Sequence, residues 1–413
     1  MNPIYNLGIS AYKLAVRLAA TRNKKARLML EGHSRTLATL RAKLPAGESS
    51  IWIHASSLGE FEQGRPLIEK IKARNPKAHI VLSFFSPSGY EVRKSYPLAD
   101  AVCYLPFDQP EAVSSFLDAV RPSMAIFVKY EFWGNYLHEL QRRQVPTYLI
   151  SAIFRPQQVF FKPWGGMFRD MLHCFTTIFV QNEESRLLLK QIGVRNVEVS
   201  GDTRFDRVVD IKNAAKKFDV IGQMTANQPF TLVMGSSWQP DEDIVIPYFN
   251  SHPGMKLIIA PHEFDAERLE ALKSRITRPV ELYSKATPQS AAGLDCLIID
   301  CFGILSSLYA YGQMAYVGGG FGAGIHNVNE AAVYGIPVVF GPKYGKFREA
   351  SDLIACGGGF SISDAAGFSA VMDRMLASRE QLSHSGTIAG NYIKSHTGAT
   401  DFIYSAVFGS KMP

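Results

Sequence analysis

From residue 51 onward, short apolar runs alternate with stretches in which apolar residues recur at helical spacing. Each apolar run is the length of a buried strand, and each amphipathic stretch, such as 62–74 or 264–276, is the length of a helix. The runs of the first half are 51–55, 79–85, 101–106, 124–129, 147–151, 177–181 and 197–200. Those of the second half are 230–235, 257–261, 280–283, 296–300, 314–318, 337–340 and 359–362. Strict β–α alternation predicts an α/β fold with two parallel, doubly wound sheets.

The alternation stops once, between residues 202 and 229, where the sequence is polar and has no apolar period. We therefore predict a Rossmann-like domain over 46–205, a linker over 206–229 and a second Rossmann-like domain over 230–413. The last helices of the second domain could pack back on the first. Two such domains place a ligand cleft between them, at the carboxyl ends of the strands.

The first 45 residues carry a different charge from the rest. They hold nine Lys and Arg against one acid, a local charge of +8, while the remaining residues sum to −1. Residues 4–30 read as one helix with Lys13, Arg17 and Lys24 in a narrow sector. This helix is too interrupted by charge to span a bilayer. Either it is an amphipathic anchor on an anionic membrane surface, or it packs on the body with a solvated face.

Several function classes are excluded by missing motifs. The first strand of each half lacks a following GxGxxG turn, and the chain has no P-loop, which disfavours dinucleotide dehydrogenases and P-loop ATPases. The five cysteines form no CxxC pair and the ten histidines show no HxxxH spacing, so we expect no disulfide framework and no metal. Because the basic charge is confined to one end, we expect no nucleic-acid partner.

The first candidate for chemistry is Glu60, which follows the first predicted strand in the sequence His54-Ala-Ser-Ser-Leu-Gly-Glu60. The small-residue turn projects the carboxylate at the carboxyl end of that strand, where it could take a proton from an attacking hydroxyl. The alternative is a purely structural role, since an acid in the first turn of a helix is favoured by the helix dipole.

A second carboxylate, Glu131, lies in the sequence Val-Lys129-Tyr-Glu131-Phe-Trp133 after the fourth predicted strand. If it were close to Glu60 and desolvated, its charge would raise the pKa of Glu60. A carboxylate between aromatic residues at a strand end could hold a polar ligand group or be the base in place of Glu60. Alternatively, Glu131 could be a structural acid paired with Lys129 or an arginine.

A glycine-rich segment, 318–324, contains several candidate binding residues and is followed by a predicted helix, 327–334. Backbone amides at such a turn suit a phosphate, and Glu330, one turn into the helix, suits ribose hydroxyls. Two further strand ends in the same half would complete this donor pocket. The predicted donor-binding residues are Gly235, Ser236, Ser237, Pro261, His262, Gly319, Gly320, His326, Asn327 and Glu330.

Several motifs together resemble the Kdo (3-deoxy-D-manno-octulosonic acid) transferases. In the first half these are 54–60, Phe84-Phe-Ser-Pro87 and Tyr130-Glu-Phe-Trp133. The motifs that match the donor half of the family are Gly201-Asp-Thr-Arg-Phe-Asp206, Asp300-Cys-Phe-Gly-Ile-Leu305, His326-Asn327 with Glu330, and Gly341-Pro342. The chain departs from the family pattern at Ala331, where proline is usual, at Trp238, where histidine is frequent, and at Gly324-Ile325, where a Gly-Gly pair is common.

The resemblance implies a GT-B glycosyltransferase that moves Kdo from CMP-Kdo to a lipid A precursor with inversion, using Glu60 as base. It also implies a location on the cytoplasmic face of the inner membrane, held at the anionic surface by the N-terminal helix. No cofactor and no metal are expected. The alternatives are another sugar-nucleotide enzyme of this fold, either a UDP-sugar transferase or an epimerase, and a non-catalytic nucleotide-binding membrane adaptor.

Overall fold

The computed structural model describes residues 3–45, 47–226 and 230–409. Those residues form two compact units. The first unit draws on 1–207 and 397–413, and the second on 208–396. Each unit is built around one seven-stranded sheet.

All strand pairs of the first sheet are parallel. Its strands are β1 (Ser50–His54), β2 (Ile80–Phe84), β3 (Ala101–Tyr104), β4 (Pro122–Val128), β5 (Thr147–Ala152), β6 (Thr177–Val180) and β7 (Val197–Val199). They lie in the order β3-β2-β1-β4-β5-β6-β7. The order reverses between β1 and β4, so the loops that follow these two strands flank the topological switch point.

Helices cover both faces of this sheet, which explains why its strands read as continuous apolar runs. They are α1 (Pro3–Ala19), α2 (Lys24–Lys43), α3 (Leu58–Arg74), α4 (Pro87–Arg93), α5 (Pro110–Val120), α6 (Gly134–Arg142), α7 (Gly166–Leu172) and α8 (Glu183–Gln191). One core contains Trp52 and Phe127 on one face, and another contains Phe61 and Ile126 on the opposite face.

The second sheet is also parallel throughout. Its strands are β8 (Thr231–Ser237), β9 (Lys256–Pro261), β10 (Val280–Leu282), β11 (Cys296–Ile298), β12 (Met314–Val317), β13 (Val338–Phe340) and β14 (Gly359–Ser361). The order is β10-β11-β9-β8-β12-β13-β14, so the switch point here lies between β8 and β12. All fourteen strands predicted from the apolar runs are thus confirmed, with start positions within two residues.

The second part of the chain forms eleven further helices among the described residues. They are α9 (Thr203–Asn213), α10 (Asp219–Thr225), α11 (Gln239–Ser251), α12 (Ala266–Ser274), α13 (Pro288–Ala291), α14 (Leu305–Leu308), α15 (Asn329–Ala332), α16 (Arg348–Cys356), α17 (Ala365–Ala377), α18 (Arg379–Ser395) and α19 (Ala399–Phe408). The predicted linker 206–229 therefore contains helical residues of α9 and α10 rather than an irregular connection.

The final helix, α19, belongs to the first unit although its sequence follows the second. The amides of Gly398 and Thr400 donate to the carboxylate of Asp206 at 2.6 and 2.7 Å. Ile403 and Phe408 of α19 are buried in the same core as Phe61. The predicted second domain ran to residue 413, with the possibility that its last helices pack back on the first domain. The described residues after 396 do belong to the first unit.

The single helix predicted over 4–30 is wrong, because the chain breaks between α1 and α2. Asn23 has an extended backbone, and its side chain accepts hydrogen bonds from the amides of Lys25 and Ala26. An asparagine that caps a new helix competes with continuation of the old one. Lys24 is therefore on a different helix from Lys13 and Arg17, and the predicted basic stripe does not exist as one surface.

The polar side of α1 faces the first unit. Tyr5 Oη donates to the buried carboxylate of Asp108 at 2.6 Å, and Lys13 Nζ donates to Gln109 Oε1 at 2.6 Å. The outward side is apolar: Ile4, Leu7, Leu14 and Leu18 are 76, 71, 56 and 67% exposed. At 100° per residue they occupy a sector of roughly 80°. No helix in the described residues is both long and apolar enough to cross a bilayer.

Candidate functional site

The switch point of the first sheet brings the two predicted carboxylates together. Glu60 lies in the first turn of α3, just after β1, and Glu131 lies just after β4, the strand beside β1. The charge of Glu131 acts on Glu60 strongly enough to shift its pKa. Residues that are 71 positions apart thus form one acidic site at the carboxyl edge of the sheet.

Glu60 closes the N-terminus of its own helix. Its Oε2 accepts the amides of Ser56 at 2.6 Å and Ser57 at 3.2 Å, and its own amide donates to Ser57 Oγ at 3.5 Å. This is a capping box, so the structural role considered for Glu60 is present. The capping box occupies only one carboxylate oxygen. The other, Oε1, makes no hydrogen bond among the residues that the structure describes.

Burial sets the protonation of Glu60. Desolvation and, to a lesser extent, the nearby charge of Glu131 raise its pKa to about 7, although His54 and the two capping amides oppose the shift. A carboxyl group with this pKa is ionised in a large fraction of molecules at neutral pH and still basic enough to accept a proton. Both conditions are required of a general base.

Glu131 is held by two ring nitrogens that the sequence prediction did not include. Its Oε2 lies 2.9 Å from His54 Nε2 and accepts the indole N–H of Trp133 at 2.6 Å. His54 is fully buried, and its Nδ1 lies 2.9 Å from Ser83 Oγ. His54 is in the sequence motif of Glu60, and Trp133 is in that of Glu131. That His54 and Glu131 are in contact follows only from the parallel pairing of β1 with β4.

A cation near this site makes no ion pair in the described residues. Lys129 precedes Tyr130 in a left-handed backbone conformation, with φ of 69°. Burial and the charge of Arg204 lower the pKa of its ammonium group. Arg204 itself pairs with Asp202 at 2.8 Å, and Arg207 pairs with Glu62 at 3.3 Å. Lys129 is thus a basic side chain near the site without an ion pair in the described residues, and so is Arg155, which donates to Tyr130 Oη at 3.1 Å.

The second unit has a polar site at its own switch point. The loop after β8 carries Ser236 in a left-handed conformation, with φ of 52°. The loop after β12 passes so close that a Cβ at Gly318 would lie 2.3 Å from the carbonyl oxygen of Ser236. Only glycine permits this approach, so the predicted turn 235–237 and the glycine-rich segment form one surface.

Several amides of the glycine-rich loop are consumed within the protein. Gly318 donates to Gly235 O and Gly319 to Asp241 Oδ2, each at 2.9 Å, while His326 donates to Gly318 O at 3.1 Å. Asp241, which sequence reasoning missed, thereby fixes the loop. In the described residues the amides of Gly320 and Asn327 are among those of this loop that make no hydrogen bond, so they are available to a ligand.

The helix predicted at 327–334 is wrong in extent. α15 contains only four residues, Asn329–Ala332, because the chain turns again before Gly335, whose φ is 74°. A single turn does not provide the helix dipole that was expected to attract a phosphate. Glu330 is nevertheless in that turn, and its Oε1 accepts the side-chain amide of Asn327 at 3.1 Å.

Three rings line the same edge of the second sheet. The ring centroids of Trp238 and His262 are 4.6 Å apart, and those of His262 and His326 are also 4.6 Å apart. His262 directly follows Pro261, the last residue of β9. Among the described residues no three side chains of His, Cys, Asp or Glu are grouped so as to hold a metal ion.

Comparison with known proteins relates the chain that carries these two sites to one family. Residues 20–207 match the family model of 3-deoxy-D-manno-octulosonic-acid transferase (Kdo transferase). The protein of that name from Aquifex aeolicus is 25% identical over 343 residues, 81% of this chain and 88% of the relative. The one from Bordetella pertussis is 26% identical over 381 residues, 87% of both chains. The chain is similar to Kdo transferases over most of its length.

Kdo transferases are glycosyltransferases of the GT-B type, and the fold agrees. The structure of MurG from Acinetobacter baumannii aligns with 88% of this chain and all of its own, with a TM-score of 0.55 and 11% identity. At that identity the likeness concerns the fold alone. The resemblance read from the motifs is therefore confirmed as a similarity that extends over most of the chain.

Proposed function

We propose that this protein is a member of the Kdo transferase family and transfers Kdo from CMP-Kdo to a lipid A precursor. The observation that carries the proposal is the pair of carboxylates at the switch point of the first sheet. Glu60 is held by its capping bonds, has one oxygen without a partner and has a pKa of about 7. Such a group is suited to deprotonate a sugar hydroxyl.

The proposed reaction is a direct displacement. Glu60 Oε1 takes the proton of the acceptor hydroxyl as its oxygen forms a bond to the anomeric carbon of Kdo. The bond from that carbon to the phosphate oxygen breaks, and CMP leaves with the electron pair. Attack from the face opposite the phosphate inverts the anomeric configuration. The reaction consumes no oxidant or reductant and needs no cofactor.

Glu131 has a supporting part in this proposal. Its Oε2 is engaged by His54 and Trp133, which hold the carboxylate in place beside Glu60. Its charge keeps Glu60 basic. Lys129 is a candidate to neutralise an acidic group of the acceptor or the donor sugar.

The second unit is proposed to bind CMP-Kdo. The amides of Gly320 and Asn327 would meet the phosphate, while Glu330 would accept hydrogen bonds from the ribose hydroxyls. The other predicted donor residues line the same strand ends: Gly235, Ser236, Ser237, Pro261, His262, Gly319 and His326. Fixed donors that face the leaving phosphate stabilise its charge as the bond breaks.

The apolar stripe of α1 is proposed to rest on the cytoplasmic face of the inner membrane, where a lipid acceptor would be found. Ile4, Leu7, Leu14 and Leu18 would enter the interface as a row. Exposed basic residues at the start of α2, including Lys24 and Lys25, would meet anionic headgroups. This differs from the sequence prediction, in which a basic stripe on the first helix made that contact.

Release of CMP tests the proposal against its rivals. The purified protein is incubated with freshly generated CMP-Kdo, with the lipid A precursor, and with both, and CMP is quantified. We expect CMP only when both are present. An epimerase would convert a UDP-sugar without an acceptor, and a UDP-sugar transferase would release UDP instead. A nucleotide-binding adaptor would bind CMP and release none from the donor.

A further inference from the structure

The position where Kdo transferases frequently have histidine is Trp238 in this chain, and its indole contacts a histidine of the donor motif. Trp238 Nε1 donates a hydrogen bond to His326 Nε2 at 3.3 Å. An indole N–H is only a donor, so His326 Nε2 must be the acceptor. The proton of the neutral imidazole is then on Nδ1.

The surroundings of His326 hold the ring in this place. A Cβ at Gly319 would lie 3.0 Å from Cδ2 and 3.4 Å from Nε2 of His326, so the ring edge rests directly on the glycine. The Gly319 amide is anchored to Asp241 Oδ2 at 2.9 Å. His262 packs on the other side, with ring centroids 4.6 Å apart.

The charged state of His326 is disfavoured by the same neighbours. Burial lowers its pKa, and the adjacent His262 lowers it further. An imidazolium would also place an Nε2 proton against the indole N–H and break that hydrogen bond. The titratable groups around the ring are His262, and Asp241 behind the Gly319 amide. Asp241 is occupied by Tyr316 and two backbone amides.

The second nitrogen, Nδ1, has no hydrogen-bond partner in the described part of the chain. The adjacent residue, Asn327, offers an amide that is also unbonded there. We propose that Trp238 is a positioning residue that fixes the Nδ1–H tautomer of His326, so that this N–H donates to a phosphate oxygen of the bound nucleotide. This inference rests on the proposed binding of CMP-Kdo and names a contact within that site.

The tautomer gives the proposal a distinctive dependence on pH. Without the indole N–H, neutral His326 can move its proton to Nε2, and the donor at Nδ1 is lost. When the ring is protonated both nitrogens carry hydrogen, so acid restores the donor. W238F therefore weakens CMP binding at about pH 8 by about threefold to tenfold, the range expected for one neutral hydrogen bond. The deficit shrinks as the pH is lowered towards 5.5 and a growing fraction of the ring is protonated.

Calorimetric titration with CMP at both pH values, comparing W238F with the wild type, measures this effect. Because the phosphate of CMP also titrates in this range, the ratio of the two affinities at each pH is the quantity to compare. Titration with cytidine, which has no phosphate, should show no difference between the proteins. W164F, the same change at a tryptophan that is 74% exposed in the first unit, is the matched control and should leave binding unchanged.

A second measurement examines the tautomer in the unaltered protein. Long-range ¹H–¹⁵N correlation spectra, with H326Q used for assignment, should show His326 protonated at Nδ1 at pH 8. Equal CMP affinity of W238F and wild type at pH 8, a deficit that is undiminished at pH 5.5, an equal deficit for cytidine, or a proton on Nε2 would each overturn the inference. If wild type binds no CMP, the proposed function fails instead.

Discussion

Replacing Glu60 by glutamine should abolish most turnover and stabilise the fold at the same time. Glutamine keeps the size of the side chain and an oxygen that can accept the Ser56 and Ser57 amides, but it cannot take a proton. Loss of a general base typically costs 10²–10⁴ in rate, so we expect a decrease of about that size. CMP binding, which we assign to the second unit, should be unchanged.

The gain in stability follows from the pKa of Glu60. Its pKa is about 7 in the folded protein against an ordinary value of 4.5, so the folded state holds the proton more tightly. The contribution of Glu60 to stability is therefore most favourable below about pH 4.5 and decreases as pH rises towards 7. Above pH 7 the ionised carboxylate costs about 3 kcal/mol, at 1.36 kcal/mol per pKa unit. E60Q removes that cost, so its advantage should grow from pH 5 to pH 8.

Rate and urea unfolding should be measured on the same preparations. Wild-type kcat/KM should rise with pH through a midpoint near 7, the pKa of the base in the free protein. Glu62→Gln is the matched control, because Glu62 is on the same helix but pairs with Arg93 and Arg207. It should retain turnover of the wild-type order. Near-normal turnover of folded E60Q would refute Glu60 as base and make Glu131 the candidate. A stability difference that does not change with pH would refute the burial argument.

The remaining predictions concern Glu131, the donor site and the membrane. E131Q should lower the rate and move the midpoint of the pH–rate profile to lower pH, because the charge of Glu131 raises the pKa of Glu60. E330A should weaken CMP binding by about 10-fold to 100-fold in calorimetry, since hydrogen bonds to a charged group are worth about 1.5–3 kcal/mol. Serine at Leu7, Leu14 and Leu18 should reduce flotation with anionic liposomes, because each exposed leucine would otherwise bury in the interface.

Each of these has a control in the chain. E60A should leave CMP binding intact, and an equal loss in E60A and E330A would contradict the assignment of separate roles to the two units. An unshifted profile in E131Q would show that the two carboxylates are not coupled. For the membrane, point changes are sharper than deletion of residues 1–30, because deletion removes the Tyr5 partner of buried Asp108 and part of the core around Met29. Undiminished flotation of the triple variant would place the contact elsewhere.

The apolar pattern predicts the two sheets well because each strand is buried on both faces and so reads as a continuous apolar run. Boundaries set by single polar side chains are harder to foresee. The break before α2 depends on whether Asn23 caps a new helix or continues the old one, and both are locally acceptable. The direction in which α1 faces depends on Asp108 and Gln109, about 100 residues away, which attract its polar side.

In the candidate site, too, the position of the carboxylates is predictable from the sequence, whereas their long-range partners are not. Motifs after strands identify Glu60 and Glu131, since parallel sheets assemble their sites from those loops. The partners that set their chemistry are long-range: His54 meets Glu131 only through the pairing of β1 with β4. In the second unit the glycine-rich sequence is visible, but the capture of the Gly319 amide by Asp241 is not, because it depends on how α11 approaches that loop.

The mass of the lipid product tests the central proposal most directly. A tetra-acylated lipid A precursor is incubated with freshly generated CMP-Kdo and either wild-type protein or E60Q, and the lipid is analysed by mass spectrometry. We predict a gain of one or more Kdo residues with the wild type and little or none with E60Q. A precursor of unchanged mass after incubation with folded wild-type protein that binds CMP would contradict the proposed transfer.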